Sequence, residues 1–389
     1  MFNLTEKELE QKDALNTTKE IKQQPELWKE TLANYKAKKN DIDAFIDNIK
    51  KNHERLRVIF TGAGTSAYVG ETVTPYLREK YKNTAIEIES IPTTTLVSNP
   101  YQYFEKEIPT LLVSFARSGN SPESVATVDT ASKMIDDFYQ LTITCSKDGK
   151  LAQKAQGDAK NLVLLMPERA NDQGFAMTGS FTTMTLTTLL VLDTIEETEK
   201  ESIVGELINL GESVISREDT IMEIAEKGFS RIVYLGSGSL EGLSIEAQLK
   251  MLELTAGEVV TAYESPLGFR HGPKSIVNED TAIIVFNSTN AYTRQYDQDL
   301  LKELHADKIA KTIWSLTTDA KDHFEGDSFL YEKTSEVDLH DAYLALPYVV
   351  FAQTLALMTS VKLNNKPDNP SPTGTVNRVV QGVTIHNYK

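Results

Sequence analysis

The sequence predicts two tandem doubly wound α/β domains with parallel sheets, flanked by a helical N-terminal segment and an extended C-terminal tail. Three observations carry this expectation. First, RVIFTGAGTSAYVGE at Arg57–Glu71 recurs as RIVYLGSGSLEGLSIE at Arg231–Glu246, with Gly62 and Gly236 174 residues apart. Second, each copy is a β-branched run, a Gly-x-Gly turn and a segment of helical spacing, the strand–turn–helix unit of an α/β domain. Third, a second strand repeats: IPTLLVSFARSG from Ile108 matches TAIIVFNSTN from Thr281, aligning Leu112 with Ile284. Continuous apolar strands such as LLVSF and AIIVF belong to sheets covered on both faces by crossover helices.

Taken in order, residues 1–50 read as a charged helical segment whose apolar stripe, Trp28, Leu32, Tyr35, Phe45 and Ile49, packs on a domain or on a second subunit. Residues 51–200 form the first domain and 201–365 the second, because 389 residues exceed what one core usually fills. The tail, 366–389, opens with the proline-rich Pro367–Pro372, cannot continue a helix, and is expected to cross the molecule and complete the active site. The longest apolar stretch, Thr182–Leu192, is interrupted by threonines and reads as a buried helix, short of the roughly 20 residues of a membrane span.

A net charge of −16 argues against nucleic-acid or membrane partners that need a broad basic face. An anionic substrate must then be held locally, by backbone N–H groups, helix N-termini and hydroxyls. The lone Cys145 permits no intrachain disulfide, and the N-terminus has no signal-peptide pattern, so the cytoplasm is expected.

Four constellations carry candidate chemistry. Gly64, Thr65 and Ser66 follow the strand RVIF and open a helix, at the strand end where ligands bind in such sheets. Their hydroxyls suit a single phosphate ester. A dinucleotide loop wants a third glycine where Ala67 stands, and a plain capped turn is the other reading. Arg117, Ser118, Asn120 and Ser121 follow the strand TLLVSF and precede Pro122, which suits a first helical turn; they read as a second part of a phosphate cradle. Glu246, Lys250 and Glu253 share one helix face, a solvated salt-bridge face or a group that moves a proton between adjacent sugar carbons. His271, between glycine- and proline-rich turns, is placed to serve ring opening or merely to be exposed. His53, His305, His323, His340 and His386 form no spaced ligand set, so no metal is expected, and no cofactor is implied.

Together GAGTS, SFARSGNSPES, IEAQLKMLE and GFRHGPKSI resemble the isomerase half of glucosamine-6-phosphate synthase, a protein of two flavodoxin-like sugar isomerase (SIS) domains. With ESPLGFRHGPKS and NPSPTGTVNRVVQGVTIH, the chain resembles more specifically the galactosamine-6-phosphate deaminase/isomerase (AgaS) branch, also labelled tagatose-6-phosphate ketose/aldose isomerase. The resemblance runs from about residue 50 onward. It implies that Thr65, Ser66, Ser118 and Ser121 hold the phosphate, with Arg117 and Asn120 beside them. It also implies that Glu253 shuttles the C1–C2 proton with Lys250 and Glu246 as polar partners, and that His271 opens the ring from a neighbouring subunit of a homo-oligomer. The chain begins Met1-Phe2, without the synthase's cysteine nucleophile, so glutamine-dependent synthesis is not expected. Gly382 stands where the synthase has its Schiff-base lysine, so covalent lysine catalysis is not expected either. The activity implied is conversion of galactosamine 6-phosphate to tagatose 6-phosphate and ammonium. A plain aldose–ketose isomerase, a sugar-amine 6-phosphate deglycase and a non-enzymatic sugar-phosphate sensor use the same cradle.

Overall fold

The computed structural model describes residues 1–320, 324–371, 373–378 and 382–388. The chain opens with three helices, α1 (Glu6–Gln11), α2 (Leu15–Lys22) and α3 (Gln24–Asn52). The first sheet unit then runs β1 (Leu56–Thr61), α4 (Thr65–Lys80), β2 (Ile86–Ser90), α5 (Thr93–Ser98), α6 (Pro100–Tyr103), β3 (Thr110–Ala116), α7 (Pro122–Met134), β4 (Phe138–Thr144), α8 (Lys150–Lys154), β5 (Asn161–Leu165) and α9 (Gly179–Leu192). Two connecting helices follow, α10 (Glu197–Ser216) and α11 (Glu218–Lys227). The second unit comprises β6 (Arg231–Gly236), α12 (Ser239–Leu254), β7 (Val260–Glu264), α13 (Pro266–Phe269), β8 (Thr281–Phe286), α14 (Ala291–Asp307), β9 (Thr312–Thr317), β10 (Asp327–Leu330) and α15 (Asp341–Lys362).

Both sheets are parallel and five-stranded, ordered β2-β1-β3-β4-β5 and β10-β9-β8-β6-β7, so they share one topology read from opposite edges. The expectation of two doubly wound domains holds. The central strands β1, β3, β6 and β8 are buried nearly end to end, as sheets covered on both faces require. The strand alignment inferred from sequence needs a one-residue correction. Ile59 pairs with Leu112 and its counterpart Val233 pairs with Ile283, so Leu112 corresponds to Ile283 and not Ile284. The reason is the two-residue pleat: Leu112 and Ile59 pack together on one sheet face, as Ile283 and Val233 do, whereas Ile284 points to the other.

The N-terminal stripe is buried against its own chain: Trp28, Tyr35, Phe45 and Ile49 are in the core, with Leu32 at its edge, and α3 packs on α9 and α10. α10 runs unbroken through the 200/201 division expected from sequence, because Ile203, Val204, Leu207 and Leu210 form one apolar face held by α3 and α15. The helix seen in Thr182–Leu192 is α9, and its apolar part is buried except for the half-buried Val191. A longer apolar helix, α15, was overlooked because Asp341, Pro347 and Gln353 interrupt it. It is long and apolar enough by composition to cross a membrane, but 94% of its apolar window is buried inside the protein, where Gln353 accepts a 2.7 Å hydrogen bond from Gln24.

Candidate active site

β1 and β3 are neighbours at the point where strand order reverses, and Thr61 pairs with Ser114, so the turns that follow them leave the sheet side by side. The first turn needs glycine. Gly64 has φ +57° and ψ −132°, a conformation open to glycine and strained for other residues. α4 begins immediately after it with no side chain capping its N-terminus, and Thr65 and Ser66 are buried there. The second turn, Arg117–Ser121, leads into α7 with Pro122 in the first turn as expected. Ser118 accepts from the Asn120 N–H at 3.3 Å, Asn120 accepts from the Lys150 N–H at 3.1 Å, and Ser121 donates to Glu123 at 2.7 Å. Among the described residues, the N–H groups of Ser118, Gly119 and Ser121 have no hydrogen-bond partner. Two uncapped helix starts and three unspent N–H groups are the features an anion site uses in place of a surplus of positive charge.

Arg117, directly after β3, reaches two distant parts of the chain. Its buried guanidinium donates to the carbonyls of Phe175 at 3.3 Å and Arg378 at 2.7 Å, and burial pulls its pKa down. Its donors hold the loop before α9 and the C-terminal tail around the cradle. Arg378 in turn donates to the Asp172 carbonyl at 3.0 Å. The Asp172 carboxylate accepts from the N–H groups of Thr178, Gly179 and Ser180 at 2.8, 3.1 and 3.0 Å, fixing the start of α9. Glu20 of α2 accepts from Gly174 N–H at 3.1 Å; burial, then the nearby Asp172, push its carboxyl up to about 7. Sequence reasoning missed Glu20, Asp172 and Arg378. Asp172 caps from six residues before its helix, and the other two act across more than 150 residues, so no local pattern marks them.

The face of Glu246, Lys250 and Glu253 comes from the second unit. α12 crosses α4 closely: a Cβ on Gly242 would lie 2.6 Å from the Glu71 carbonyl carbon, so the crossing requires glycine. This approach carries Lys250 to the first turn. Its ammonium is fully buried and lies 2.6 Å from Glu253, 2.9 Å from the Thr65 hydroxyl and 3.4 Å from Glu246. The alternative of a solvated salt-bridge face is thereby excluded. Burial lowers the lysine's pKa, but Glu246 and Glu253 outweigh it and the net shift is upward, keeping Lys250 charged. Glu246 is likewise fully buried, and neither of its oxygens meets Thr65 or Lys250 at a full hydrogen-bonding angle. Burial raises its carboxyl to about 8, Lys250 opposing and Glu253 reinforcing the shift. Glu253 remains 25% exposed, which makes it the member of the group that a substrate reaches.

His271 is not part of this cluster within one chain. It lies exposed on the turn after α13 and makes no hydrogen bond or ion pair with Lys250 or Glu253. His53 bonds Tyr139, His305 packs on Phe324, His340 caps α15, and His386 is exposed; His323 lies outside the described residues. Among the described residues no group of three or more His, Cys, Asp or Glu is placed to hold a metal ion. Gly382 is in the tail as the alignment expected, while Pro372, Val379–Gln381 and Lys389 lie outside the described residues.

The chain is similar to proteins already known. The SIS domain family matches residues 52–192, which hold both cradle turns. Over 380 residues, 96% of each chain, the protein is 41% identical to D-galactosamine-6-phosphate deaminase AgaS of Escherichia coli. The chain belongs to the AgaS family of SIS-domain proteins. Another AgaS member, from Shewanella sp. (strain ANA-3), is 39% identical over 99% of this chain and 95% of its own. The crystal structure of tagatose-6-phosphate ketose/aldose isomerase from Escherichia coli superposes with a TM-score of 0.85 at 38% identity, covering 96% of both chains.

Proposed function

We propose that this AgaS-family protein converts galactosamine 6-phosphate to tagatose 6-phosphate and ammonium. The observation that carries the reading is the Lys250 contact, which joins the phosphate cradle of the first unit to the carboxylates of the second. Gly64, Ser66, Ser118, Asn120 and Ser121 bind the phosphate, Ser118 and Ser121 through their unspent backbone N–H groups and the others through side chains or close backbone approach, while Thr65 ties the cradle to Lys250. With the phosphate fixed there, C1 and C2 of the open-chain sugar come to Glu253. Its carboxylate takes the C2 proton and returns it to C1 while a proton passes from the amine nitrogen to O1, turning the 2-amino aldose into a C2 imine with a C1 hydroxyl. Water adds to that imine, ammonia leaves as ammonium, and the ketose 6-phosphate remains. Lys250 holds Glu253 in place through their 2.6 Å contact, and the raised carboxyl of Glu246 limits the negative charge buried beside it.

Ring opening requires a further acid–base group. We assign it to His271 supplied by a second subunit of a homo-oligomer, a reading supported by the exposed apolar side chains of Leu252, Val260, Tyr263 and Leu267 on the same unit. A homo-oligomer in the cytoplasm is the working form. Covalent catalysis by a tail lysine is absent from this scheme, since Gly382 stands at that position.

The name of the Escherichia coli isomerase structure favours a second reading, aldose–ketose isomerisation without loss of nitrogen. Parallel assays of ammonium and ketose 6-phosphate on galactosamine 6-phosphate separate the two. Equal molar release of both products is expected. Ketose formed from a neutral aldose 6-phosphate, with no ammonium from the amino sugar, would establish the isomerase instead.

A further inference from the structure

The second unit repeats the backbone of the cradle and fills it with the protein's own carboxylates. Its first turn, Gly236-Ser237-Gly238-Ser239, copies the conformation of the substrate turn: Gly238 has φ +58° and ψ −120°, against +57° and −132° at Gly64. Its second turn, Asn287–Asn290, leaves β8 beside it, because β6 and β8 pair as β1 and β3 do. The difference lies in who takes the donors. Asp297 bridges the two turns, accepting from the Ser237 hydroxyl at 2.7 Å and the Ser288 N–H at 2.9 Å. Asp341 accepts from the Ser288 hydroxyl at 2.5 Å, the Thr289 N–H at 2.7 Å and the Thr289 hydroxyl at 2.9 Å. Asn290 caps α14 by accepting from the N–H groups of Tyr292 and Thr293 at 3.0 and 3.1 Å.

The same positions in the first unit carry no charge. Asp297 is the seventh residue of α14, and the seventh residue of α7 is Val128; Asp341 opens α15, and Gly179 opens α9. One group is left over. Ser239, at the place that Thr65 holds in the first unit, is 2% exposed and its hydroxyl has no partner. A buried, unsatisfied hydroxyl costs stability, and it is the residue expected of a cradle whose ligand has been replaced rather than of a turn built for packing.

We propose that the second unit is a phosphate cradle occupied internally by Asp297 and Asp341, which stand in for the phosphate oxygens and close this site to sugar phosphates. The inference rests on the first cradle being the substrate's phosphate site. The two carboxylates therefore act as a built-in anion that leaves each chain one substrate site, and removing them opens a second.

Equilibrium dialysis of the full-length chain against radiolabelled inorganic phosphate tests this. The wild type is expected to bind one phosphate per chain, and the Asp297→Val/Asp341→Gly variant, which gives the second unit the residues of the first, one more than the wild type. Circular dichroism checks that the variant is folded; should the double variant not fold, Asp341→Gly alone is expected to show the same gain at lower affinity. Two phosphates per wild-type chain, or no gain in a folded variant, would overturn the proposal. A wild type that binds none speaks against the first cradle, and a gain of one in the variant then still supports the internal occupation of the second.

Discussion

Lys250 and Thr65, 185 positions apart, meet at 2.9 Å where the helices that open the two sheets cross. The lysine also meets Glu253 of its own helix at 2.6 Å, and the threonine opens α4 directly after the Gly64 turn. Their contact ties the start of α4 in the first unit to the Glu246–Lys250–Glu253 group of the second.

Replacing Lys250 with methionine breaks it. Buried Glu246 and partly exposed Glu253 then lose their shared cation, and breaking a buried pair from one side costs about 3–5 kcal/mol. Urea denaturation should show a loss of that order, and ammonium release should fall at least about 100-fold through misplacement of Glu253. Thr65→Val removes only one hydrogen bond and should cost about 1 kcal/mol. A Lys250→Met protein of unchanged stability would contradict the buried geometry.

Glu253→Gln separates chemistry from binding. The amide keeps the shape and can still accept from Lys250, but it cannot take a proton. The expected outcome is a fall in kcat of about 10²–10⁴-fold with KM little changed. Because the residue is partly exposed, the thermal midpoint should move little. A rise in KM at constant kcat would instead make Glu253 a binding residue.

Much of this site was legible in the sequence because it sits on repeated local units. A Gly-x-Gly after an apolar strand, a proline opening a helix and residues spaced by three and four each have one structural meaning, and Gly64, Pro122, Glu246, Lys250 and Glu253 fell where those meanings place them. What was not legible depends on residues distant in the chain. Nothing local marks Gly242 as a crossing point, or Arg117 as a holder of the loop and tail. Leu112 was aligned one residue out because two apolar runs match equally well by composition, and only strand pairing sets which side chains share a face. His271 stays apart from the cluster for a different reason: its proposed partner surface belongs to another copy.

The raised carboxyl of Glu246 gives a pH signature. Its folded pKa, about 8, lies above the ordinary value of 4.5, so the associated stability is complete below about pH 4.5 and is lost as pH rises toward 8. Lys250 is shifted upward from 10.5, so its contribution is lost only above that value and does not interfere. Glu246→Gln removes the titration while keeping the volume. The variant's stability relative to wild type should therefore rise between pH 5 and pH 8, by at most about 1.4 kcal/mol per pH unit. Thermal melts across that range provide the check; parallel curves for the two proteins would place the titrating proton elsewhere.

The tail offers a last test, because it is fastened by a residue that caps a helix it does not belong to. Ala14 precedes α2 and supplies no side-chain cap. Asp368 does so from the other end of the chain, accepting from the N–H groups of Asn16 and Thr17 at 2.9 and 2.8 Å and from the Thr17 hydroxyl at 2.7 Å. Ten residues further on, Arg378 grips the Asp172 carbonyl, and its own carbonyl accepts from Arg117 beside the cradle. Asp368→Ala removes the first fastening only. The lost cap should cost about 1 kcal/mol, and the loosened tail should raise KM for galactosamine 6-phosphate several-fold while leaving kcat near wild type, since no residue of the Lys250 group is touched. Arg378→Ala, which releases the second fastening at the cradle itself, should raise KM further. Equal KM values in both variants and the wild type would mean that the tail braces the fold without shaping the substrate site.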